Sequence, residues 1–331
     1  MTGLAQGCAE TQAVATAPDT AQRHGTRSSS LLRGAATHTA HVAIAAAVTA
    51  MILAVLATAP AAPAAALGKA AATAFLVSSQ KADGGFGEPG RPSDPSLTAW
   101  VVLALAAAGR DPASVQNGGE SPADYLTGKP YPTATDLELR ILALDALGRT
   151  AAALALADRL DGLRRSSGAI GAGVNSTIWG IIALRAVGRP AGSRAVGYLL
   201  RQQRPNGGWS WAAGVAPDSN DTAATIQALS AAGVSTGFRA IRRGLAYLAS
   251  LKNADGGFEL TAKRGSDAQS TAWAIQAYAA AGRKPPAGAL AYLGRLERTN
   301  GSYRYSVRYV TTPVWVTSNV LPALASKAFP L

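Results

Sequence analysis

A unit of about 39 to 49 residues returns along this chain with its parts in one order. No local motif constrains the fold as tightly, because such a period marks one supersecondary unit stacked many times. A helix-like stretch ends in a polar residue. A glycine turn follows and leads to a large, usually aromatic residue: KADGGF at 81–86, RPNGGW at 204–209 and NADGGF at 253–258, with weaker forms at 166–171 and 298–303. An apolar, Ala-rich stretch then closes on Gly109, Gly148, Gly188, Gly233 or Gly282.

Each unit reads as two helices. In 238–252, Ile241, Leu245, Leu248 and Leu251 share one face while Arg239, Arg242 and Arg243 take the other, so this helix has a solvated side. The second helix, as in 176–188 or 270–282, is apolar nearly all round and must be surrounded by protein. The pattern predicts inner helices at 97–108, 136–147, 176–187, 221–232, 270–281 and about 314–326. Their outer partners are predicted at 68–80, 121–127, 150–164, 191–203, 237–252 and 286–298. Glycine suits the left-handed position after each inner helix. Asp94-Pro95 predicts an N-cap, and Thr135 with Glu138 a capping box. The end units resemble the middle ones and carry no polar outer cap, which predicts closure: an all-α (α/α)6 toroid of six helical hairpins.

Residues 1–66 stand apart. A lead with Arg23, Arg27 and Arg33 precedes an uncharged apolar run at 42–58 and small residues suited to cleavage at Ala64–Ala66. That order predicts a secretory signal and an extracytoplasmic toroid at 67–331. The alternative is an uncleaved anchor, through which alone the chain would meet a membrane. The lead is long for a signal, which predicts a start codon further downstream. Cys8, His24, His38 and His41 are the only cysteine and histidines, and all precede the apolar run. The domain beyond it therefore has no means for a Ser–His or Cys–His nucleophile, a thioester, or an ordinary zinc site, and neither metal nor other cofactor is expected. The chain carries a net charge of +12 without a nucleic-acid motif, so nucleic acid is not an expected partner and the charge reads as solvated surface.

Residues 194–209, RAVGYLLRQQRPNGGW, resemble the QW repeat of squalene and terpene cyclases, with Gln203, Gly207 and Trp209 in place. Residues 71–86 repeat it with Phe75, Gln80, Gly84 and Phe86, while Lys252 and Glu297 stand at the Gln position elsewhere. The resemblance spans about 67–326. It implies the toroid shared by terpene cyclases, protein prenyltransferase β subunits, complement thioester domains and corrinoid binders. It also implies a structural Gln, reaching the next inner helix's end. Asp218, Asn220, Asp221, Thr222 and Ala223 resemble the DxDDTA acid motif of class II cyclases. Asn220 takes the proton donor's place, and an amide cannot supply a strong acid's proton. Ser219, Asn220 or Asp221 reads instead as a helix cap. Asp94, Asp136, Asp221 and Asp267 fall at inner-helix starts on one rim, each equally explained as a cap.

Six helix starts at one mouth predict free N–H groups and positive dipole ends there. Trp100, Trp179 and Trp273 each lie nine residues before a closing glycine, with Trp315 taken as their counterpart; Gln227 and Gln276 share a second register. Such tryptophans either line a pocket or fill core holes. Trp211, Tyr303, Tyr305 and Tyr309 are expected on loops at the mouth. The expected function is a non-catalytic, secreted or envelope-associated toroid. Trp100, Trp179, Trp211, Asp218, Asn220, Asp221, Gln227, Trp273, Gln276 and Trp315 would form its ligand site. The partner would be an amphipathic small molecule, isoprenoid- or corrinoid-like, or another envelope protein. The alternative is a terpene cyclase-like enzyme using Asp218 or Asp221.

Overall fold

The computed structural model describes residues 64–331. Residues 1–63 of the predicted signal segment lie outside them, and its predicted end at Ala66 falls within the first helix. Outer helices are α1 (Ala64–Ser78), α3 (Pro122–Thr127), α5 (Thr150–Asp161), α7 (Ser193–Arg201), α9 (Arg239–Ser250) and α11 (Ala289–Leu296). Inner helices are α2 (Pro95–Ala107), α4 (Ala134–Ala146), α6 (Val174–Ala186), α8 (Ser219–Ala231), α10 (Ala268–Ala280) and α12 (Pro313–Leu324). A short antiparallel ribbon, β1 (Phe258–Glu259) with β2 (Ser266–Asp267), was not expected; it pairs Phe258 with Asp267. Burial follows the predicted alternation. From Val174 to Leu184, α6 is buried almost continuously, whereas α9 buries only Ala240, Ile241, Gly244, Leu245 and Leu248.

The ring closes. Each inner helix packs on the next, and α12 packs on α2; outside, α1 lies against α11 and α12. Hydrogen bonds between neighbouring units carry the same message. Asn175 N–H donates to the Trp211 carbonyl at 3.0 Å, Ser219 N–H to Leu260 at 2.9 Å and Ala268 N–H to Tyr305 at 2.7 Å. At the seam Glu88, from the first unit, accepts from Val314 and Trp315 N–H at 3.0 and 2.8 Å. Four of the six inner-helix starts thus give an amide to the following unit, which leaves fewer free amides at the mouth than expected.

A threonine ties each turn to its inner helix. The hydroxyls of Thr98, Thr177, Thr222, Thr271 and Thr317 accept from Phe86, Ile170, Trp209, Phe258 and Tyr303 N–H at 2.9–3.0 Å. The turn residues themselves are fully buried or nearly so. Gln203 and Gln80 differ from expectation in what they reach. Gln203 Nε2 donates to the carbonyls of Gly207 and of Ala240 at the start of the next outer helix, both at 2.8 Å. Gln80 similarly donates to Gly84 and Val115. The glutamine therefore stitches its own turn to the next unit through carbonyls, not inner-helix amides. Arg164 does the same work in the third unit, donating to Ala191 and Pro190.

Two capping expectations are corrected. Helix α4 is opened by Thr133 and Asp136, whose reciprocal bonds are 3.1 Å each way, not by Thr135 and Glu138. Glu138 is thereby carried into the helix interior. Helix α8 is capped by Asp218, which accepts from Asp221 N–H at 2.9 Å, so none of Ser219, Asn220 and Asp221 is the cap. Asp94 caps α2 as expected, accepting from Leu97 N–H at 2.8 Å.

Candidate functional site

The ring axis is filled with aromatic side chains. Trp100, Trp179 and Trp273 each lie two residues beyond the turn-binding threonine, a helical step that turns them inward from the outer layer. Their rings meet edge to face, with centroids 5.3 Å apart for Trp100–Trp179, 5.6 Å for Trp179–Trp273 and 5.9 Å for Trp100–Trp273. Trp315 joins Trp100 at 5.8 Å but is not the register counterpart. Counting from Thr317 puts Asn319 at that place, and Asn319 Oδ1 accepts from Trp273 Nε1 at 3.0 Å. Helix α12 is followed by Ser326, at φ +53°, where other inner helices are followed by glycine, so no closing glycine marks its register and only Thr317 does.

Phe329, not singled out from the sequence, completes the cage. The segment after α12 returns to the axis, and the Phe329 ring lies 6.0 Å from Trp100, 6.4 Å from Trp179 and 6.3 Å from Trp273. Gln227 Oε1 accepts from Phe329 N–H at 2.8 Å, and Gln276 Nε2 donates to the Asn319 carbonyl at 3.2 Å. Four buried polar atoms of these residues have no partner: Trp100 Nε1, Trp315 Nε1, Gln227 Nε2 and Gln276 Oε1. Native interiors leave few such atoms, and each one asks for an explanation such as a water or ligand. Trp211 stands apart, exposed on the loop before α8. Tyr309 is exposed on the loop before α12, where Tyr305 is half-buried; Tyr303 is buried as that unit's turn residue.

Asp218, Asn220 and Asp221 gather at the start of α8. Burial holds the Asp221 carboxyl well above the ordinary carboxylate range, and the neighbouring Asp218 charge and hydrogen bond push it the same way. The Asn175 side chain and the main chain of Trp211 oppose this. Burial also raises Asp218, against its bonds to Asp221 and Asn220. Of the two carboxyls, Asp221 is therefore the one held more strongly in its protonated form, donating to Asp218. Asn220 is half-buried, its Oδ1 3.3 Å from the Ser219 hydroxyl. A small cleft of about 20 Å³, room for about one water, opens between Pro95, Pro130, Asp136 and Arg140.

Buried acids also set a pH dependence. Burial pushes Asp267, which caps α10, up to about 6 despite its bonds to Ser270. Glu138, buried with both oxygens unpartnered, is raised well above its usual value by burial and by Asp136. Unfolded carboxyls titrate near 4, so between about 4 and 6 the folded state holds protons that the unfolded state has lost. Stability should be fullest below about 4 and fall as pH rises through 6, by up to about 3 kcal/mol from Asp267. Urea unfolding from pH 4 to 8 checks this. Asp267→Asn, which keeps a capping oxygen, should flatten the lower part of the profile, and stability rising with pH would contradict the reading.

A family model of the squalene-hopene cyclase C-terminal domain matches residues 185–314. No curated protein matches the chain. Among solved structures, a protein from Actinoplanes aligns with a TM-score of 0.61 at 21% identity, covering 79% of this chain and 99% of its own. The type II terpene cyclase MstE from Scytonema, in complex with its substrate geranylgeranyl dihydroxybenzoate, aligns at 0.57 and 17%, covering 80% and 97%. This chain has the α/α-toroid fold of the terpene cyclase and prenyltransferase superfamily. A glycosidase in complex with glucose aligns at 0.56 and 13% identity, covering 80% of this toroid and 98% of its own chain. A cyclase and a glycosidase on one scaffold leave the chemistry of this toroid to be argued from its own residues.

Proposed function

We propose that this toroid is a non-catalytic binder of an amphipathic small molecule with an isoprenoid-like body, taken up at the ring axis. One observation carries the reading: an aromatic cage holds the chain's own Phe329 and is bordered by unpaired buried polar atoms. An apolar guest group would occupy the place of the Phe329 ring. A polar group on the guest would satisfy Gln227, Gln276 or the indole N–H groups. The polar-headed isoprenoid bound by MstE is of this chemical class. Asn220 at the donor position argues against catalysis.

While Phe329 fills the cage, the competent state is a minor one, and apparent affinity falls by its population. Removing residues 328–331, or making Phe329→Ala, should therefore strengthen binding of geranylgeraniol by about tenfold or more. Quenching of the cage tryptophans and native mass spectrometry would read this. A tail-free protein that still fails to bind prenyl alcohols would end the proposal. The raised, buried Asp221 carboxyl favours one second reading, a cyclase-like acid. A cyclised product from squalene or a shorter prenyl substrate, lost in Asp221→Asn, would replace binding by catalysis.

A further inference from the structure

Four loops form one continuous arc of the mouth. Loop 210–217 reaches the start of α6, 259–265 that of α8, 304–312 that of α10 and 87–92 that of α12 through the bonds already described. On this arc Val307, Tyr309, Val310 and Trp211 are 61, 48, 46 and 39% exposed, and Val307 is the most exposed large apolar side chain among the described residues. Arg91, Lys263, Arg264, Arg304 and Arg308 surround them, all exposed. None of the five makes an ion pair among the described residues, where the pairs join Arg164 and Arg189 to Asp158 and Asp161. The acids nearby are committed to main-chain amides or buried: Glu88 accepts from Val314 and Trp315, Asp94 from Leu97, Glu259 from Lys263 and Gly265, and Asp218 from Asp221, whose own carboxyl is buried. Asp267, beside Arg264, is buried. The arc thus shows uncompensated positive charge interleaved with aromatic and branched apolar tips.

We propose that this arc docks the toroid on an anionic phospholipid surface. Tyrosine and tryptophan favour the water–bilayer boundary, and arginines beside them would meet lipid phosphates. No helix among the described residues is long and apolar enough to cross a membrane, so the contact would be interfacial. A second copy of the chain fits poorly, because a symmetric contact would set these cations against one another. The proposal assigns the membrane a contact other than the predicted N-terminal segment and does not depend on guest binding.

The test uses the full chain with Cys8→Ser and a bimane label at Val307→Cys, compared with a label at exposed Ala152→Cys on outer helix α5. Vesicles carry brominated acyl chains, either all phosphatidylcholine or mixed with phosphatidylglycerol. Quenching is expected at position 307 and not at 152, and only with the anionic lipid. Arg304→Glu with Arg308→Glu should weaken it by about tenfold or more, as should roughly 0.5 M salt. Both arginines are exposed, so the melting temperature of the double variant should stay close to wild type, which separates lost docking from lost folding. An unquenched 307 label, or equal quenching at 307 and 152 or in both lipids, would overturn the proposal and leave contact to the N-terminal run.

Discussion

Trp100→Ala is expected to cost about 3–5 kcal/mol of folding stability, while Trp211→Ala stays within about 0.5 kcal/mol. The two residues are 5% and 39% exposed. Trp100 is the hub of the cage, in ring contact with Trp179, Trp273, Trp315 and Phe329 at 5.3 to 6.0 Å. Its Nε1 has no partner, so the loss would come from packing and edge-to-face contacts, not from a broken hydrogen bond. Collapse onto the vacated space is hindered, because six inner helices in a closed ring cannot move inward independently. The melting temperature should fall by roughly 10 °C, given about 2–4 °C per kcal/mol for a domain of this size. Near-ultraviolet circular dichroism should lose coupled indole signal in the Trp100 variant alone. Equal effects at the two positions would mean that the axis is not the packed centre described here.

The repeat was legible because it is written in backbone chemistry. Left-handed positions favour glycine after every inner helix but α12, as at Gly109 and Gly233, both at φ above +79°. All-round apolarity marked the inner helices for the same local reason. What escaped reading depends on contacts across the ring or on competition between equal signals. Thr133 with Asp136 and Thr135 with Glu138 are overlapping signals two residues apart, and only the packing of α4 decides between them. The threonine register recurs in five units but carries no distinctive signal, because a lone hydroxyl in an apolar helix bonds its own preceding turn equally well. Counting from it puts Asn319, not Trp315, in register with Trp100, Trp179 and Trp273, although the Trp315 ring still reaches Trp100. Phe329 carries no periodic signal at all; its role exists only once the axis is there to receive it. The candidate ligand residues accordingly divide in space. Trp100, Trp179, Trp273, Trp315, Gln227 and Gln276 belong to the axis, and Trp211 and the Asp218–Asp221 group to the mouth.

Gly301→Ala should be nearly as damaging, by about 2–5 kcal/mol, and for a reason that tests closure itself. Gly301 sits at φ +81°, and a Cβ there would lie 2.3 Å from the Ala71 carbonyl oxygen, at the seam where the last unit meets α1. That oxygen belongs to a helix backbone and cannot swing aside as a side-chain tip would. Gly207 has almost the same surroundings between two middle units, at φ +97° and 2.5 Å from the Arg243 carbonyl oxygen. The local clash is therefore matched, and the two variants differ in which joint is strained. An alanine at Gly207 strains a joint whose two sides remain linked by the chain between α7 and α9. An alanine at Gly301 strains a joint that noncovalent contact alone maintains, chiefly this turn, Glu88 on α12, and α1 against α11 and α12. Hydrogen exchange should accordingly rise in α1, α11 and α12 of the Gly301 variant before global unfolding, with the middle units still protected. The Gly207 variant should lose stability without that end-selective pattern. Identical exchange profiles in the two variants would show that the seam bears no more of the fold's cooperativity than any other joint.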